Sequence, residues 1–109
     1  MIPIEVPEVL KELAATIRRR FPQEYSLLFV HDSVGNPRIF LSRNPEKIVG
    51  IARVPTYLID YIPLGSNDGR FLFTDCISCD ENTKTEYTGV VEVLVRVEEE
   101  SRKVWQRVQ

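Results

Sequence analysis

The chain has 109 residues, 43% hydrophobic and 28% charged, with a formal net charge of −2. That size and balance suit one globular domain spanning residues 1–109 and exclude a disordered chain. They also exclude a strong global pull toward nucleic acid or acidic lipid, and the longest apolar runs fall far short of a membrane span.

Other compositional signals are modest. Ten arginines stand against four lysines, a bias toward the rigid fork that grips phosphate and carboxylate. Two cysteines do not make a disulfide framework. The start, Met1-Ile2-Pro3-Ile4-Glu5, lacks the basic residues and apolar run of a signal peptide. The expectation is a soluble, cytoplasmic protein.

Residues Pro7 to Phe21 read as an amphipathic helix. Pro7 suits a first turn, and Glu8 favours the positive end of the helix dipole. Leu10, Leu13, Ala14 and Ile17 recur at helical spacing. Pro22 disfavours helical angles at Phe21 and ends the segment. Arg18, Arg19 and Arg20 close the helix. Cations are stabilised at that end by the dipole, which accounts for them more simply than a phosphate-binding edge does.

Tyr25 to His31 is an apolar run that fits a central strand buried on both faces. Asp32 to Pro37 is a turn, with Gly35 and Asn36 suited to positive φ. Arg38 to Ser42 returns as a strand. Lys47 to Val54 and Thr56 to Ile62 follow as extended segments divided by Pro55, although that proline also suits the start of a short helix over Pro55 to Tyr61. Leu64 to Gly69 is a loop.

The stretch from Arg70 to Glu98 reads as two long antiparallel strands. The first arm carries Phe71, Phe73, Asp75, Ile77 and Cys79 on one face. The turn falls at Asp80 to Thr85. In the second arm Val91, Val93, Val95 and Val97 alternate with Glu92, Leu94, Arg96 and Glu98, the period-two pattern of a half-buried strand. From Glu99 on two readings compete. One is a helical stripe through Val97, Ser101, Val104, Trp105 and Val108, with Glu98–Arg102 and Glu99–Lys103 as i,i+4 pairs. The other, preferred, is a further strand over Lys103 to Val108.

The expected fold is therefore α+β: a mainly antiparallel sheet of five or six strands with the N-terminal helix across one face. One helix does not cover so apolar a sheet, so a homodimer is expected to complete the burial.

Candidate chemistry is sparse. Cys76 and Cys79 form a lone C-x-x-C, half of a zinc site at most, and His31 is the only histidine. Two small packed residues are the simpler reading, so no metal or other cofactor is expected. His31 and Asp32 invite an acid–base reading, but neighbours in a strand point apart, and a turn-capping Asp is preferred. Asp60 and Asp75 are further acidic candidates. Tyr57 and Tyr61 share a face and suit base stacking or an interface, with half-buried core as the preferred reading.

Three function classes remain. The preferred one is a non-enzymatic interaction module or assembly subunit with a protein partner. The second is a weak nucleic-acid binder using Arg18, Arg19, Arg20, Arg38, Arg43 and Arg53 with Tyr57 or Tyr61. The third is a small enzyme acting on an anionic substrate through His31, Asp32, Asp60 or Asp75.

Overall fold

The computed structural model describes residues 6–44, 56–65, 68–76 and 83–103. Its elements run α1 (Glu8–Arg20), β1 (Tyr25–His31), β2 (Pro37–Arg43), β3 (Thr56–Pro63), β4 (Gly69–Asp75), β5 (Thr83–Tyr87) and α2 (Val90–Arg102). The five strands form one antiparallel meander in sequence order. The architecture is α+β, with a helix before the sheet and another after it.

Helix α1 follows its sequence signals. Leu10, Leu13, Ala14 and Ile17 are buried, and the helix ends at Arg20 with Phe21 as its C-cap, ahead of Pro22. Thr56 to Pro63 is extended throughout, so the alternative short helix over this stretch is not formed from Thr56 on. Strand β3 alternates as its sequence suggests: Tyr57 and Ile59 are buried, and the residues between them are less so.

Two expectations are corrected. The valine-rich segment is not a strand but the helix α2. Its valines alternate, yet Val90, Val93, Leu94 and Val97 also recur at helical spacing. Val93, Leu94 and Val97 are buried, while Val91 and Val95 are 72% and 49% exposed. Valine disfavours a helix by at most about 0.7 kcal/mol per residue. Burying a Val or Leu side chain stabilises by about 1.5–3 kcal/mol, so packing overrides propensity. The hairpin survives with a different partner. Strand β4 pairs with Thr83–Tyr87, so Thr83, Lys84 and Thr85 belong to a strand and not to the turn.

The second correction concerns β1. Among the described residues it pairs with β2 alone and forms an edge of the sheet. Leu28 is 50% exposed, so its apolar run does not reflect burial on both faces. The strand expected at Lys47 to Val54 lies outside the described residues, as does Lys103 to Val108 beyond Lys103.

The strand registers assign every side chain to one of two faces. One face carries Tyr25, Leu27, Phe29, Ile39, Leu41, Arg43, Tyr57, Ile59, Tyr61, Phe71, Phe73 and Tyr87. Helix α1 crosses it over β1 and β2, α2 crosses it over β4 and β5, and the helices touch each other. Their buried stripes merge with this face into one core. The opposite face bears the rows Leu28–Phe40–Leu58–Thr74–Lys84 and Val30–Arg38–Asp60–Leu72–Glu86. No helix among the described residues lies over it.

Candidate functional site

The densest polar cluster sits where the last turns of α2 meet the helix-covered face. On α2, Glu100 continues the buried stripe through Val93 and Val97, at helical spacing. Its side chain is buried, and donors from two elements converge on it. Oε1 accepts from Arg96 Nε at 2.9 Å and from Lys103 Nζ at 2.7 Å. Oε2 accepts from the Tyr57 hydroxyl at 3.1 Å.

The helix backbone is gripped as well. Arg43 Nη1 donates to the Glu100 carbonyl at 2.6 Å, and the Tyr25 hydroxyl donates to the Val97 carbonyl at 2.7 Å. The Glu100 carbonyl belongs to the last helical turn, whose carbonyls lack the full set of intrahelical partners. Arg96 reaches further: Nη1 donates to the Tyr87 hydroxyl at 3.0 Å, and its guanidinium stands 4.8 Å from the Phe73 ring centroid. Strands β1, β2, β3 and β5 thus all hold α2 through Tyr25, Arg43, Tyr57 and Tyr87.

Electrostatics follow from this wiring. Burial opposes the charge on Glu100, but the hydrogen bonds from Lys103 and Arg96 outweigh it and hold the carboxyl below its ordinary range. Burial raises the Tyr57 phenol, and the adjacent Glu100 charge raises it further. Burial likewise raises Tyr25, against the opposing pull of Arg43. At neutral pH the carboxylate is ionised and the phenols are protonated. A carboxylate with donors on both oxygens is a poor base, so the cluster does the work of an anchor and not of an acid–base pair.

Sequence reasoning named Arg43 and Tyr57 for another purpose and missed Tyr25, Tyr87, Arg96, Glu100 and Lys103. One signal was available: Arg96 and Glu100 lie four apart, and Glu100 and Lys103 three apart, on the stripe of a helix. Reading Val91–Glu98 as a strand concealed it.

The other candidates are dispersed. His31 ends β1 exposed, with Nδ1 3.3 Å from the Asp32 carbonyl oxygen and not from the Asp32 carboxylate. The Asp32 carboxylate accepts from the Val34 and Asn36 N–H groups at 3.0 and 2.9 Å and from Asn36 Nδ2, as a turn cap. Those bonds, led by the Asn36 N–H, hold its carboxyl below the usual range. Asp60 accepts from Arg38 at 2.7 Å on the helix-free face. Asp75 is half-buried at the end of β4.

The arginines divide in the same way. Arg43 is buried under α2 while Arg38 lies on the opposite face. Arg18 donates to the Leu27 carbonyl at 3.2 Å, and Arg19 and Arg20 are exposed at the end of α1. Arg53 lies outside the described residues. Tyr57 is buried and Tyr61 packs its ring 5.2 Å from that of Phe71.

Cys76 is half-buried, and burial, with the neighbouring Asp75 charge, raises its thiol. Cys79 lies outside the described residues. Among the described residues no three of His, Cys, Asp and Glu gather as metal ligands, and no helix is long and apolar enough to cross a membrane. A cleft of about 590 Å³ at the turn end of the sheet is bordered by Asp32, Asn36, Asp60 and Tyr61, with Pro37 and Pro63 at its rim. The carboxylates of Asp32 and Asp60 are both engaged as described.

Comparison of the chain with protein-family models, with curated proteins and with solved structures finds no match.

Proposed function

We propose that this chain is a non-catalytic assembly subunit that works by associating with a second copy through its sheet. The observation that carries the reading is the division of that sheet. Both helices pack on one face, and the other presents Leu28, Val30, Phe40, Leu58, Ile62 and Leu72, of which Leu28 and Ile62 are 50% and 43% exposed. Apolar surface grouped in this way is characteristic of interaction sites.

Charge favours a protein partner over nucleic acid. Arg38 is paired with Asp60, and Arg70 with Asp68 and Glu86, so these cations are neutralised in place. A surface with little net field can meet its own copy without repulsion and has little grip on phosphates. The Glu100 cluster, the best-developed polar constellation, is committed to holding α2. That supports the non-catalytic side of the reading.

Sedimentation of the purified chain across the micromolar range is the test. A dimer that dissociates on dilution is expected. A monomer at every concentration would overturn the proposal.

A further inference from the structure

We infer that the free edge of β1 is the contact: β1 of a second copy adds to it antiparallel, so that two five-stranded sheets become one. The inference rests on the assembly reading above and places the contact at the border of the helix-free face, where Leu28 and Val30 stand, and not across the whole of that face.

The hydrogen-bond phase of β1 is set at both ends. Asn44 N–H donates to the Glu24 carbonyl at 3.0 Å, and Asp32 N–H to the Asn36 carbonyl at 2.9 Å. Main-chain groups alternate along an antiparallel strand. Ser26, Leu28 and Val30 therefore bond to β2, and the N–H and C=O of Leu27, Phe29 and His31 point outward. One outward acceptor is already in use: Arg18 Nη2 donates to the Leu27 carbonyl at 3.2 Å. That side chain stands where the N–H of an added strand would sit. Among the described residues, none bonds the outward N–H and C=O of Phe29.

An edge that must stay unpaired is normally blunted by charge, proline or a bulge. From Tyr25 to Val30, β1 has no charge and no proline, and its seven pairs with β2 run without a break. The opposite edge differs. Cys76 N–H donates to the Thr56 carbonyl, which turns Phe71, Phe73 and Asp75 toward β5. The outward main-chain groups of β5 then belong to Lys84 and Glu86, both charged. Among the described residues, the β1 edge is met only by the Arg18 side chain at Leu27, whereas the β5 edge carries charge on each outward residue.

Charge also selects the occupant and the register. An uncharged strand meets its own copy without repulsion. Antiparallel pairing brings the start of β1, beside the arginines of α1, to the Asp32 turn of the partner. Centring the pair on Leu28 sets Glu24 opposite the partner's Asp32, two like charges. Centring it on Phe29 avoids this. Leu27 then faces the partner's His31, and Leu28 faces the partner's Val30 on the helix-free side. Phe29 exchanges both N–H···O bonds with the partner's Phe29, and Leu27 does so with the partner's His31 once the Arg18 side chain has swung off the Leu27 carbonyl.

The test uses the full chain with Cys76→Ser and Cys79→Ser as background. Leu28→Cys with Val30→Cys places cysteines at facing positions of a non-hydrogen-bonded pair, where the Cα separation suits a disulfide. Mild oxidation is expected to give a covalent dimer on a non-reducing gel. Separately, Phe29→Pro removes an outward N–H while leaving the β2 ladder intact. It is expected to weaken the dimer at least about tenfold by sedimentation, with an unchanged circular dichroism spectrum. Should that variant fail to fold, the cross-link decides alone. A dimer that persists in Phe29→Pro and does not cross-link would overturn the edge contact and leave the assembly reading standing. A wild-type monomer would overturn both.

Discussion

The Tyr57 hydroxyl donates to the Glu100 carboxylate at 3.1 Å, tying the middle of the sheet to the last turns of α2. The two residues lie 43 positions apart in the chain, and both are fully buried. The bond matters because Glu100 also neutralises Arg96 and Lys103. Removing the carboxylate leaves Arg96, a partly buried cation, without its charge partner. Glu100→Ala is therefore expected to destabilise the fold by about 3–5 kcal/mol. Tyr57→Phe removes one hydrogen bond to a charged group and is expected to cost about 1.5–3 kcal/mol. Urea denaturation of the two variants checks the order. Equal losses would show that the charge of Glu100 is not what anchors the helix.

Acid should loosen the same anchor. Glu100 has a folded-state pKa below its unfolded value, near ~4.3. Its contribution is fully present above the unfolded value and is lost as pH falls through the folded one. Asp32, depressed by the Asn36 and Val34 N–H bonds, acts in the same direction. Stability measured from pH 6 down to pH 2 is expected to fall, and Glu100→Gln is expected to flatten that fall. An unchanged slope in the variant would assign the acid sensitivity to other groups.

Alkali should act through the phenols. Tyr57 and Tyr25 have raised folded-state values because burial disfavours the phenolate. Their contribution is complete below the ordinary tyrosine value of ~10 and is lost as pH rises beyond it toward the folded values. Ultraviolet titration of the native protein is expected to leave these two phenols protonated where exposed tyrosine ionises. They should titrate only with unfolding. Normal titration of all four tyrosines in a folded chain would refute the buried placement.

Gly69 is constrained by a close approach. A Cβ placed on it runs into the Tyr61 ring, and the site is buried. Gly69→Ala is expected to displace that ring and cost about 1–3 kcal/mol. Gly69→Ala combined with Tyr61→Ala should cost less than the two changes added separately. Strict additivity in thermal or urea unfolding would contradict the contact.

Val91 separates the two readings of the valine segment. It is 72% exposed on α2, where alanine is the better helix former. Val91→Ala is expected to stabilise the fold by about 0.5 kcal/mol. In a strand the same change would destabilise, since alanine fits a pleated surface less well than valine. The sign of the change in the denaturation midpoint is the readout.

Local pattern determined much of this molecule. Leu10, Leu13, Ala14 and Ile17 specify α1 by spacing, and Pro22 sets its end. The turn residues Asp32 to Pro37 specify the β1–β2 hairpin, because so short a polar break leaves the two strands no other neighbour within reach, and the alternation about Tyr57 and Ile59 specifies a half-buried strand. The α+β class follows from those elements alone. Val90 to Val97 were different. Their sequence satisfies a period of two and a helical stripe at once, and local preference leans to the strand. Only the assembled sheet decides, because β4 and β5 offer an apolar floor that a helix covers with Val93, Leu94 and Val97. The Glu100 anchor was hidden for the same reason. Its partners come from β1, β2, β3, β5 and α2, and a buried carboxylate is tolerable only where they converge. Beyond the Arg96–Glu100–Lys103 spacing, such convergence is a property of the packed chain. Tyr57 reads as an ordinary half-buried aromatic until α2 lies across it.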